Sequence, residues 1–150
     1  MLNDSQISTL FTLQAGMNDR VDANWLSANY PYLRAVVIEA AEAIEHHGWK
    51  WWKHQERDTA QLQMELVDIW HFLLSEILLR TGGDKIAAKA YLETQLSQQL
   101  AQGAVIFDGQ EIDLNQLSLL EKLQTLIGTA AAGRVELALF QAIMVDSAID

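Results

Sequence analysis

The sequence predicts an all-α fold. Three features carry that expectation: apolar residues recur at helical spacing along most of the chain, capping residues and glycines punctuate the recurrences, and strand-like patterning is confined to a brief AVIF run at 104–107. About five to six such segments can be separated, which gives a helical bundle in one domain, residues 1–150.

The elements follow in order. Asp4 or Ser5 can cap a first helix whose stripe is Ile7, Leu10, Phe11 and Met17, with Gln14 on the same side. Residues 18–30 hold no clear period and read as a loop. Pro31 suits the first turn of a second helix, LRAVVIEAAEAIEHH, which Gly48 ends or bends. After the loop WKWWKHQER, Asp58 and Gln61 make a capping box for a third helix. That helix is apolar on most sides, so it belongs at the centre. Gly82-Gly83 ends it. A fourth helix over 84–102 carries Ile86, Ala90, Leu92, Leu96 and Leu100, and Gly103 stops it. The stretch AVIFDGQEID reads as a linker or a short irregular segment. Two more helices, 114–126 and 135–148, flank GTAAAG.

Composition narrows the function classes. Half of the 150 residues are hydrophobic and one is proline, as in a folded globular chain. Twenty acidic residues against ten basic ones leave a formal net charge of −10. A general nucleic-acid binder needs a basic face, so nucleic acid is not the expected partner. There is no cysteine, which excludes disulfides and thiolate metal sites and is compatible with the cytoplasm. The polar start MLNDSQIST is unlike a signal peptide. The most apolar stretch, 62–79, contains Glu65, Asp68, His71 and Glu76, too many ionisable groups for an ordinary membrane span.

Two acidic pairs carry the chemistry. Residues three apart on a helix project from nearly the same side, so Glu39 pairs with Glu42 and Glu65 with Asp68. Clustered carboxylates repel, and burying them uncompensated is costly. A divalent cation removes that cost, and Mg²⁺ favours oxygen ligands while keeping water and substrate phosphate in its shell. Two helices facing each other with such pairs make a four-carboxylate site. With no thiolate available, Mg²⁺ or Mn²⁺ is expected before zinc. Glu76, about three turns beyond Glu65, can serve as a distal ligand or support. The plainer alternative is that an E-x-x-E pair simply faces water; the apolar surroundings of Glu65 and Asp68 weigh against it.

The loop sets Trp49, Trp51 and Trp52 beside Lys50 and Lys53. Aromatic faces can hold a base or sugar and lysines can meet phosphate, although tryptophans also pack helix ends. Arg57 is a further cation in reach. Gln14 and Asn18 are amides one turn apart that can read a base edge or merely close a loop. His71 is either a pocket donor or a satisfied core histidine.

Taken together, FTLQAGMN at 11–18, IEAAEAIEHHGWKWWK at 38–53 and QLQMELVDIWHFLLS at 61–75 resemble the dimeric all-α dUTPases, within the wider MazG-like group of nucleoside triphosphate pyrophosphatases. The likeness covers roughly residues 8–80, and the helical second half, 84–150, diverges. It implies a MazG-like architecture with a metal site in a central four-helix arrangement. It implies that Glu39, Glu42, Glu65 and Asp68 bind Mg²⁺, and that Gln14, Asn18, Trp49 and His71 line a uracil and deoxyribose pocket. It places Lys50 or Lys53 near phosphate. Of the two glutamates in the first pair, Glu39 or Glu42 is the expected general base. The implied reaction is hydrolysis of dUTP to dUMP and pyrophosphate by a homodimer. Chains of this family carry a basic segment in the second half that helps hold the phosphates; here that half offers only Lys85, Lys89, Lys122 and Arg134. A pyrophosphatase for another nucleotide, or a non-catalytic nucleotide sensor, is the alternative that this departure raises.

Overall fold

The computed structural model describes residues 2–149. Helices make up 70% of the chain, and the all-α expectation holds. In order, the elements are α1 (Asp4–Val21), α2 (Trp25–Ala28), α3 (Tyr32–His47), α4 (Thr59–Arg80), α5 (Lys85–Gln102), strands β1 (Ala104–Phe107) and β2 (Gln110–Asp113), α6 (Leu119–Ala131) and α7 (Leu137–Asp146).

Several boundaries differ from the sequence expectation, each for a local reason. The first helix is capped by Asn3, whose side chain accepts from Gln6 N while Gln6 bonds back, a full capping box one residue before Asp4. It also runs on through Asn18 to Val21, and the single turn of α2 occupies part of the expected loop. A four-residue helix is too short to show a period, which is why the bundle has more helices than the five or six expected. Pro31 sits just before α3, where its carbonyl accepts from Arg34 N and Ala35 N. Asp58 caps α4 by accepting from Gln61 N at 3.0 Å. The return half of that box is replaced: Asp58 N donates to the His46 carbonyl at 2.9 Å, which closes the loop 48–58 onto the end of α3.

The stretch read as a linker is a β-hairpin. Val105 lies opposite Ile112 and Ile106 opposite Glu111 in an antiparallel pair. Asp108 and Gly109 turn it, both at positive φ, the conformation that an Asp-Gly dipeptide favours between two strands. Phe107 then reaches back to α6, where Gly128 leaves room for its ring; a Cβ there would lie 2.3 Å from Cζ. Gly128→Ala is therefore expected to destabilise by about 1 kcal/mol, because crowding outweighs the gain in helix propensity. Urea unfolding checks this, and an unchanged or raised midpoint would mean that the ring swings away freely.

One contiguous apolar cluster runs through the helices. The central element is α4, as its all-round apolar pattern predicts: Leu62, Leu66, Ile69, Leu73, Leu74, Ile77 and Leu78 are all buried. Helix α3 packs along it through Val36, Ala40 and Ala43, antiparallel, so that His46 meets Asp58 and Tyr32 lies near Glu76. Small alanines on α3 let the two backbones come close. Trp70 on α4 stacks on Phe140 of α7 at 5.9 Å and 11°. Gln99 on α5 caps α7 from outside: its Oε1 accepts from Leu137 N and Ala138 N, and its Nε2 donates to the Val135 carbonyl. No helix is long and apolar enough to cross a membrane among the described residues.

Candidate active site

The antiparallel pairing of α3 and α4 places Glu39 opposite Glu65. Oxygens of Glu39, Glu42 and Glu65 lie within 4.8 Å of one another. Asp68 stands outside that closest set, half-buried on the next turn, yet near enough that its charge acts on Glu39. Burial is the first cause that raises Glu39; a hydrogen bond with Glu65 and the charges of Glu65, Glu42 and Asp68 add to it, and together they push its carboxyl up to about 8. Its Oε2 is sealed from solvent and has no hydrogen-bond partner within the protein. An acid held with an orphaned buried oxygen among three other carboxylates is strained electrostatically, and an oxygen-seeking cation relieves all of it at once. The donor set is carboxylate only, which fits Mg²⁺ or Mn²⁺.

His46 borders this cluster as a partner of Glu65, a neighbour not foreseen from the sequence. Its Nε2 lies 3.4 Å from Glu65 Oε1. The signal was present: Glu39, Glu42 and His46 are spaced i, i+3 and i+7, one face of α3. Glu76 does not join the acids. It pairs with Arg80 at 3.0 Å and lines a separate cleft of about 530 Å³ with Tyr30, Tyr32, Arg34 and Val37, on the α6 side of α3. That cleft contains none of Glu39, Glu42, Glu65 or Asp68.

A second group of the predicted residues meets between α1 and α4. Gln14 Nε2 donates to Asn18 Oδ1 at 3.0 Å and to Ser75 Oγ at 3.1 Å. Asn18 Nδ2 also donates to Ser75 Oγ, at 3.1 Å. His71 Nδ1 lies 2.7 Å from Gln14 Oε1. Gln14, Asn18 and Ser75 are buried and His71 is half-buried. Ser75 is the member that sequence reasoning passed over; a lone serine in an apolar helix gives no warning of a partner on α1.

The tryptophan loop lies at the end of α3 and, among the described residues, shares no hydrogen bond with that network. Trp49 Nε1 donates to Glu45 Oε2 at 2.8 Å, and Lys50 Nζ donates to Glu45 Oε1 at 3.1 Å. These two bonds hold Glu45 below the usual carboxylate range. Trp49, Trp51 and Trp52 meet edge-to-face and remain largely exposed. Gln55 Oε1 accepts from the backbone of Trp49 and Lys50 and ties the loop together. Lys53 is exposed. In the second half, three of the four cations are committed to ion pairs: Lys89 with Asp4 and Glu93, Lys122 with Asp146, and Arg134 with Glu136.

Carboxylates of Glu39, Glu42 and Glu65, gathered from two facing helices, give this all-α protein a cluster whose spacing could hold a metal ion. A family model described as dUTPase matches residues 6–148, nearly the whole chain and well past the motif-bearing part, and the chain belongs to that all-α dUTPase family. No curated protein matches it.

Proposed function

We propose that this protein is a divalent-cation-dependent dUTP pyrophosphohydrolase that converts dUTP and water to dUMP and pyrophosphate, as a cytoplasmic homodimer. The observation that carries the reading is the buried, partnerless Oε2 of Glu39 within a converging carboxylate cluster. Family membership supplies the nucleotide. Glu39, Glu42, Glu65 and Asp68 would hold Mg²⁺ or Mn²⁺, which when bound offsets the triphosphate charge and acidifies a water. Glu42 is the exposed member of the trio, so we assign it the proton of the attacking water, and Glu39 the role of buried ligand. The water oxygen bonds to the α-phosphorus as the bond to the bridging oxygen breaks, and pyrophosphate leaves. Gln14, Asn18 and His71 would face the base and sugar. Trp49 would flank them, with Lys50 and Lys53 toward the phosphates. Support for a second copy comes from Leu13, Met17 and Val21, an exposed apolar stripe one turn apart on α1, and from exposed Met64 and Val67 on α4.

A panel of nucleoside triphosphates with Mg²⁺, read by pyrophosphate release, tests the reaction. The expected result is dUTP preferred over dCTP and dTTP. The ion-paired cations of the second half favour one rival, a nucleotide sensor without chemistry. No release from any nucleotide at high protein concentration would establish it instead. Sedimentation at micromolar concentration tests the dimer.

A further inference from the structure

The direction of every hydrogen bond in the network between α1 and α4 follows from one fixed point. The His71 backbone carbonyl can only accept, and Ser75 Oγ lies 2.9 Å from it, one helical turn on. Ser75 therefore donates there and has lone pairs left to accept. It accepts from Gln14 Nε2 and from Asn18 Nδ2, both at 3.1 Å. With its nitrogen placed by Ser75 Oγ and Asn18 Oδ1, Gln14 turns Oε1 toward His71. A flipped Gln14 would set acceptor against acceptor at both contacts. Because Oε1 only accepts, the proton of the 2.7 Å bond sits on His71 Nδ1. Neutral imidazole carries one N–H, so the lone pair is on Nε2. Among the described residues no hydrogen bond reaches Nε2, and His71 is half-buried.

We infer that Ser75 is a positioning residue that fixes this proton order, and that His71 thereby presents Nε2 as a hydrogen-bond acceptor, selecting ligands that offer a donor. The ligand class rests on the nucleotide reading above. Among pyrimidine nucleotides the distinction is sharp: uracil has a ring N–H where cytosine has a bare ring nitrogen. A cytosine nitrogen facing Nε2 pairs lone pair with lone pair. Both N–H groups of the Gln14 amide are already engaged, so Gln14 acts by orienting His71 and cannot itself donate to the base without breaking the network.

Long-range proton–nitrogen NMR of ¹⁵N-labelled protein reads the ring directly, at a pH where the imidazole is neutral. The chain has four histidines, and loss of signals in His71→Gln assigns the one of interest. Wild type is expected to show a protonated Nδ1 and an unprotonated Nε2; the opposite pattern overturns the inference. Ser75→Ala should release the order, giving mixed tautomers, and Ser75→Thr, which keeps the hydroxyl, should restore it. An unchanged pattern in Ser75→Ala removes the role of Ser75. Should Ser75→Ala fail to fold, Ser75→Cys, which keeps the volume with a far weaker donor and acceptor, is read in the same way. For the ligand, dUMP should shift the Nε2 resonance and bind at least about tenfold tighter than dCMP. Equal or tighter dCMP binding overturns donor selection. These readouts need no turnover, so a protein with the stated proton order that binds dUMP yet hydrolyses nothing would sink the proposed enzyme activity alone.

Discussion

Glu39→Gln is expected to abolish hydrolysis and, at the same time, to stabilise the metal-free protein. Two opposite effects come from one atom. Oε2 of Glu39 is buried without a partner, and its carboxyl is raised to about 8 by burial and by three neighbouring acids. An amide of the same shape carries no charge, so without metal it removes the repulsion; a gain of about 1–2 kcal/mol at mildly alkaline pH is expected. The same amide cannot serve as an anionic ligand, and activity should fall at least about a thousandfold. Thermal melts with a chelator present and pyrophosphate release with Mg²⁺ present are the paired measurements. A variant that is less stable and still active would make Glu39 an ordinary structural acid. Glu65→Gln should behave in the same direction, and comparison of the two shows whether the cluster acts as a unit.

The metal-free protein should also lose stability as pH rises from about 5 to about 8, contrary to the usual behaviour of paired carboxylates. The sign comes from Glu39. Its folded-state value, about 8, lies above the ordinary 4.5 of the unfolded chain. Between those values the folded form keeps a proton that the unfolded form has released, so unfolding gives up a proton and alkali favours it. The contribution is fully present below the lower value and gone above the upper one. A fully buried group would contribute about 1.4 kcal/mol per unit, but Glu39 is only half-buried and solvent screens it, so a total loss of about 1–2 kcal/mol is expected. Saturating Mg²⁺ should flatten the profile, because the bound ion displaces the proton throughout. Denaturant midpoints across this range, with and without Mg²⁺, give the answer. A metal-free profile that rises with pH would contradict the raised carboxyl.

Much of the site was legible because helix geometry is local. The i, i+3 spacing of Glu39 with Glu42, and of Glu65 with Asp68, places each pair on one face whatever the rest of the chain does. The same rule would have found His46, one turn beyond Glu42. The hairpin was legible as well: Asp108-Gly109 between AVIF and QEID is a turn signal. The turn of α2 was not legible, since four residues cannot display a period. Nor was the loop closure, where the His46 carbonyl takes the amide proton of Asp58 that a capping box would have used.

By itself, then, the sequence determined the helical class, the faces that carry acids, and the family whose motifs the chain bears, because spacing, capping and side-chain type act within a few residues. Tertiary structure decided which faces meet. The register of α3 against α4 is set by the packing of Val36, Ala40 and Ala43 into a central apolar helix, and that register brings Glu65 to Glu39 and leaves Glu76 to Arg80. It likewise decided that Gln14 and Asn18 bond to a serine 57 or more residues away and orient a histidine. Such choices depend on the sum of many weak non-local contacts, which no short stretch of sequence contains.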